Sequence, residues 1–452
     1  MILRVFLLLL VVFSVGSSTS AQHLSSELDC LLDDELFRDS DVSLLVYDID
    51  AKENLYSYRQ HKLCRPASVL KMVTATVALI RLGCDYTMDT RLMQKGGNLY
   101  VQGALDPLFD EEDLMNMISA VPQGSIIDTL FADCTLMDSV YWGPGWSWDD
   151  TPWEFQPYIS PLMLCGGCVT VDALPSSKGV APVVRCTPES SFYKVVNEAV
   201  SRSGSGEKFT ILRDWLDNSN VIRLRGDCTG AKQEKMNLFP SQEFFMAVMA
   251  ERLHERGISV GTVAYAAVPD DAVLLYRTCR PITEVVSEAL LESDNLCAEA
   301  LSYHLGALFG KRPVRQRMGP ELMAGFLDYK LSMPENYNIA DGSGLSLYSY
   351  LSADILLQTL LLAYSEPQVR DVIIASLPQA GVSGTMKNRL KKSAAYKKIH
   401  AKTGTVKGVC TLAGYAEAAN GHTLAFVIMN NGSLDLKAVR CWQDKVCDVL
   451  CR

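Results

Sequence analysis

Strand-like runs stand at both ends of this chain with helical segments between them, and that arrangement leaves few ways to build a core. Near the N-terminus, "VSLLVYDID" and "NLYSYRQ" read as two strands joined by a turn through "DAKE". Near the C-terminus, "KIHAKTGTV", "VCTLAGYAEA" and "HTLAFVIMNNG" read as three more. A single antiparallel sheet with helices against its faces reunites the two ends, so the expected class is α+β with about five strands flanked by helices. The final segment, "SLDLKAVRCWQDKVCDVL", carries Leu436, Val439, Trp442, Val446 and Val449 at helical spacing, with Ser433 as its expected cap.

Residues from about 85 to 275 have another texture. Short β-like runs such as "NLYVQG", "SIIDTLFADC" and "CVTVDAL" alternate with turn clusters, among them the aromatic "YWGPGWSWDDTPW" and the loop "SRSGSGEK". With 452 residues, the chain is too long for one simple core. The expected organisation is one domain from 22–84 and 275–452, interrupted by a large, mostly β insertion at 85–274.

The first residues, "MILRVFLLLLVVFSVGSSTSAQ", hold one Arg, an apolar run from Val5 to Val15 and small residues up to Ala21. They read as a secretory signal peptide, residues 1–21, removed near Ala21. The run is short for a membrane span, and no later segment is apolar for long enough, so an exported protein without a stable span is expected. A net charge of -10 and the lack of a basic stripe exclude a nucleic-acid partner. Fourteen cysteines in an exported chain leave disulfides and buried thiols both open. Cys165 and Cys168 form a lone C-x-x-C without a second pair at zinc spacing, which reads as a local disulfide or two packed thiols and not as a metal site. The six histidines form no catalytic set, and His400, two before Lys402, has no partner in sequence. No metal or organic cofactor is expected.

Chemistry concentrates first in "CRPASVLKMVTATVALI". Ser68 and Lys71 stand three apart at the head of an apolar helix that runs to about Leu82 and closes at Gly83, so they share a face. A serine hydroxyl is a weak nucleophile until a base takes its proton. Lysine is that base if it is neutral, and burial or a second nearby cation drives it there. The helix start also offers the Ser68 backbone N–H to an oxyanion. Ser191 and Lys194 repeat the spacing, and spacing alone does not separate the two pairs. Ser293-Asp294-Asn295 and Lys402-Thr403-Gly404 follow in chain order. The ordered trio S-x-x-K, S-D-N, K-T-G is the signature set of penicillin-interacting serine enzymes.

On these motifs, and on "VYDIDAKENLYSYRQHKLCRPASVLKMVTA", "NLYVQGALDPLF", "GPGWSWDDTP", "SDNLCAEAL", "ADGSGLS" and "AKTGTVKGV", the chain resembles the D-alanyl-D-alanine carboxypeptidase/endopeptidase family, the class C low-molecular-mass penicillin-binding proteins. The resemblance implies a penicillin-binding, transpeptidase-like domain split by an insertion, and it selects Ser68 over Ser191. It makes Ser68 the nucleophile, Lys71 its base, Asn295 the holder of Lys71 and the substrate amide, and Ser293 the relay to the leaving amine. Lys402 and Thr403 would take the terminal carboxylate, beside Gly404, and the N–H groups of Ser68 and Thr405 would form the oxyanion hole. Asp150 and Phe155 fall where relatives contact the side stem; a turn-capping Asp150 is the other reading. Leu347 stands where relatives often carry a basic residue, which implies looser substrate choice. Peptidoglycan stem peptides are the implied substrate, β-lactams the implied covalent inhibitors, and the periplasm or cell wall the implied location. A β-lactamase with the same machinery and a wall-binding protein without turnover stay open beside the serine DD-peptidase.

Overall fold

The apolar runs at the two chain ends do meet in one sheet. In the computed structural model, which describes residues 22–331 and 336–452, five antiparallel strands lie in the order Ile399–Val406, Val409–Glu417, Thr423–Asn431, Asp41–Asp48, Glu53–Tyr58. The expected signal peptide at 1–21 lies outside the described residues. The three inner strands are buried on both faces, which is why they read as continuous apolar runs and not as alternating ones. One face packs Val42, Leu44, Val46, Leu412, Phe426 and Ile428 against Trp442, Val446 and Leu450 of the C-terminal helix Leu436–Leu450 and against Leu28. On the other lies helix Ala353–Ser365, where the Tyr415 hydroxyl donates to Leu360 O at 2.8 Å.

Ser433 is not the cap of the last helix. Asp435 is, accepting from the Ala438 N–H at 2.9 Å, and Trp442 Nε1 ties the helix to Leu31 O at 2.7 Å. Cys165 and Cys168 stand as two packed thiols, and Cys168 Sγ donates to Gly166 O. Among the described residues no helix is long and apolar enough to cross a membrane, and no group of three or more His, Cys, Asp or Glu is placed to hold a metal.

Contacts divide the chain into two units. The first holds the residues up to Arg81, Val286–Asp294 and Glu321–Arg452, and with them the antiparallel sheet. The second holds Leu82–Val285 and Asn295–Pro320. Its main sheet is mixed, in the order Ser259–Tyr265, Ile126–Asp133, Asn98–Gln102, Thr87–Lys95, Val273–Pro281. Smaller sheets are built from strands between Cys168 and Asn237. Helices Glu111–Ser119 and Ser241–Glu255 contribute Leu114, Met117, Phe244, Phe245 and Val248 to a core shared with Val101, Leu130, Val169 and Val171.

Candidate active site

The first unit carries the serine and lysine side chains. Ser68 sits in a tight 3₁₀ turn, Ala67–Val69, that leads into helix Leu70–Leu82. Ala67 has a left-handed backbone (φ 47°), a strained choice for a residue with a Cβ, and it sets the angle at which Ser68 is presented. Thr411 Oγ1 donates to Pro66 O at 2.8 Å, pinning this turn to the sheet. The helix is buried through its first ten residues, so Lys71 is 0% exposed. Its Nζ stands 2.9 Å from Ser68 Oγ and donates to Ser343 O at 2.9 Å. That carbonyl belongs to the turn at 341–346, which Asp341 organises by accepting from the N–H groups of Gly344 and Ser346. Thr74 Oγ1 donates to Gly342 O at 2.6 Å and locks the turn onto the helix. A Cβ on Gly344 would lie 2.0 Å from Ala67 O, so only glycine allows this approach.

Lys402 lies on the edge strand of the sheet and is also 0% exposed. Its ammonium donates to Ser293 Oγ and to Thr403 O, both at 2.8 Å. Ser293 follows helix Ile282–Leu291 in a left-handed conformation (φ 68°), which turns its hydroxyl back to Lys402. Burial, and then the nearby charge of Lys71, push Lys402 well below the ordinary lysine range. Repulsion between two cations is mutual, so this pair sheds its first proton more readily than an isolated lysine would. Gly404 passes so close to the nucleophile turn that a Cβ there would stand 2.2 Å from Thr411 Oγ1 and 2.9 Å from Ser68 N. Thr405, next on the strand, is exposed.

The second unit holds the remaining expected residues. Asn295 opens helix Asn295–Ala307, and its Nδ2 donates to Phe155 O at 2.6 Å. Phe155 is partly exposed. Asp150 ends the 3₁₀ turn Trp148–Asp150, where burial and then Asp149 raise its carboxyl above the usual range. Asn237 Nδ2 fixes this loop by donating to Trp153 O and Gln156 O, and Arg213, fully buried, donates to Asn237 Oδ1 and to the Tyr158 hydroxyl.

The rival pair separates. Ser191 lies in a turn, its hydroxyl donating to Glu251 Oε1, while Lys194 begins an exposed strand. Sequence reasoning missed the Ser343 carbonyl that anchors Lys71, and Thr385, whose hydroxyl is 2.8 Å from that of Thr403. The glycine-rich "DGSG" run was the available sign of the first; nothing in sequence marked the second.

A serine within proton-transfer distance of a buried lysine at a helix start, with a second buried lysine on a sheet edge, defines a serine hydrolase that works through an acyl-enzyme. A model of the D-Ala-D-Ala carboxypeptidase 3 (S13) family matches residues 24–450, and the chain belongs to that family. A D-alanyl-D-alanine carboxypeptidase of Actinomadura sp. (strain R39) is 28% identical, over 92% of this chain and 82% of that one. The crystal structure of penicillin-binding protein 4 from Haemophilus influenzae superposes with a TM-score of 0.79 at 22% identity, covering 95% of this chain and 97% of that one. The same protein has been solved with a β-lactam bound. A predatory peptidoglycan endopeptidase of Bdellovibrio bacteriovorus shares the fold at a TM-score of 0.52 and 14% identity, with 90% and 91% covered.

Proposed function

We propose that this enzyme is an exported serine DD-peptidase that removes the terminal D-Ala from peptidoglycan stem peptides and opens D-Ala–diamino acid cross-links. Neutral Lys71 takes the Ser68 proton as Oγ attacks the carbonyl of the penultimate D-Ala. The N–H groups of Ser68 and Thr405 hold the oxyanion. Ser293 relays the proton that Lys71 took on to the departing amine, so Lys71 is neutral again as the C–N bond breaks and the terminal residue leaves. Water then attacks the ester, giving a proton to Lys71, which hands it to Ser68 Oγ as the ester bond breaks, and the Ser68 hydroxyl is restored. Lys402, as the cation that remains, and Thr403 hold the substrate carboxylate. Asn295, held by the Phe155 carbonyl, orients the substrate amide. Asp150 receives the amino group of a diamino side stem, and Leu347, where a basic residue would grip that stem's carboxylate, loosens the choice of stem. β-Lactams acylate Ser68 in place of substrate. Residues 85–274 form the insertion of a domain made from 22–84 and 275–452, and the periplasm is the site of action.

The observation that carries this reading is the 2.9 Å approach of the fully buried Lys71 Nζ to Ser68 Oγ at the helix start. A labelled penicillin should leave a long-lived covalent adduct, mapped by mass spectrometry to the peptide with Ser68 and absent from Ser68→Ala. An adduct on Ser191, or none at all, would sink the assignment, and rapid loss of the adduct would favour a β-lactamase.

A further inference from the structure

Thr385 occupies a tight turn, Gly384–Met386, wedged between two parts of the site. On one side is the end of the helix that delivers Ser293: a Cβ on Gly384 (φ 53°) would stand 2.4 Å from Leu291 O. On the other side is the strand of Lys402, where the hydroxyls of Thr385 and Thr403 face each other at 2.8 Å. The turn is anchored from behind by the Gln379 N–H, which donates to Ser383 Oγ at 3.1 Å. Thr385 is exposed and Thr403 half-buried, so both hydroxyls reach solvent, while the Lys402 ammonium beneath them donates to Thr403 O.

We infer that Thr385 is a second carboxylate-binding hydroxyl, and that with Thr403 it forms a two-pronged clasp for the free carboxylate of the terminal D-amino acid. This rests on the reading that the Lys402 strand receives that carboxylate. Each hydroxyl has one proton to give. Alone, the pair spends one of the two on itself. An arriving anion draws both outward, one to each oxygen of the same carboxylate, and the 2.8 Å spacing suits two acceptors joined through one carbon. Lys402 supplies the charge, and the hydroxyls supply the recognition of a two-oxygen end. The clasp therefore selects free carboxyl ends over amidated ones.

The test compares wild type, Thr385→Val and Thr385→Ser on a soluble peptide ending in D-Ala-D-Ala and on its C-terminal amide. Valine keeps the shape and removes the donor. For the acid, Thr385→Val should raise KM about tenfold, the worth of one hydrogen bond to a charged group, with kcat held within about twofold. KM for the amide should stay unchanged, and Thr385→Ser should restore the acid preference. An unchanged KM for the acid would overturn the inference. So would equal losses on acid and amide, which would make the turn a prop for the strand only. Penicillin labelling of Ser68 in the wild type separates this from failure of the enzyme reading, since a labelled wild type with an indifferent Thr385→Val refutes the clasp alone.

Discussion

Two shielded cations of this chain, Arg280 in the second unit and Lys402 in the first, are held in opposite ways. In the second unit Arg280 meets three carboxylates: Asp106, whose side chain is 0% exposed, Asp113 and Glu284. Burial would lower its pKa, but Glu284, Asp106 and Asp113 outweigh that. In the first unit Lys402 is buried as deeply as any residue, and among the described residues it makes no ion pair. Hydroxyl and carbonyl oxygens hold it, and a second lysine charge opposes it. Arg280, matched by acids, is finished as chemistry: its charge is spent inside the fold. Held only by neutral oxygens, Lys402 keeps its charge available to an incoming anion, at a cost in stability that the rest of the unit must carry.

The sharpest way to break this comparison is to remove both cations and measure two properties of each variant. Lys402→Met keeps the length of the stem and removes the charge. It should lower kcat/KM for D-Ala release by about 10³-fold, the scale set by loss of a preorganised electrostatic group. Its thermal midpoint should be unchanged or higher, because no partner charge is stranded. A clear loss of stability in Lys402→Met would show that the lysine holds the fold, and the contrast with Arg280 would fail.

Arg280→Met should do the reverse. With the guanidinium gone, Asp106 is left buried beside Asp113 without a cation, and breaking such a group costs about 3 kcal/mol at pH 7. Denaturant unfolding measures that loss. The fraction that remains folded should turn over substrate within about threefold of wild type, since Arg280 is outside the proposed chemistry. Adding Asp106→Asn should return part of the stability, because an amide does not need the lost charge.

The contrast also explains what could be read from the sequence. The sheet was legible because its inner strands are buried on both faces and write themselves as unbroken apolar runs. The Ser68–Lys71 and Lys402 segments were legible because each is a local pattern on one element. What escaped is what forms between distant segments. The anchor of Lys71 is a backbone carbonyl, Ser343 O, and apart from the glycine-rich run that carries it nothing in sequence pointed to its partner. Thr385 reaches Thr403 only because Gly384 fits against Leu291, a contact across 93 residues of chain (384 minus 291). Ser433 was the expected cap of the last helix, and the geometry of its first turn gives that place to Asp435. The charges in the second unit were invisible for a related reason: Asp106 and Arg280 are far apart in sequence, and nothing about either announces burial.

The smallest test concerns a neutral counterpart of these charges. His304 is buried in the second unit with both ring nitrogens engaged: Nε2–H donates to Ala104 O at 2.8 Å, and Nδ1 accepts from the Tyr86 hydroxyl at 2.9 Å. Burial pushes its pKa down to about 4 from the usual 6.5. Between those values the unfolded chain binds a proton that the folded chain refuses, so His304 costs stability as pH falls from about 6.5 to 4. The loss is up to about 3 kcal/mol over that window and absent above it. Asp106 works against it. Burial raises its pKa from 3.8 to about 6, so in the window from 3.8 to 6 the folded chain holds the extra proton, and acid stabilises it. The two opposing slopes nearly cancel in the wild type between pH 4 and 6. Substitution separates them: in His304→Gln stability should rise on acidification from pH 6 to 4, and in Asp106→Asn it should fall. The measurement is the free energy of unfolding at several pH values, taken as the difference between each variant and the wild type. If the His304→Gln difference does not change with pH, the imidazole is not held neutral by burial, and the second unit does not store its titratable groups in opposed pairs.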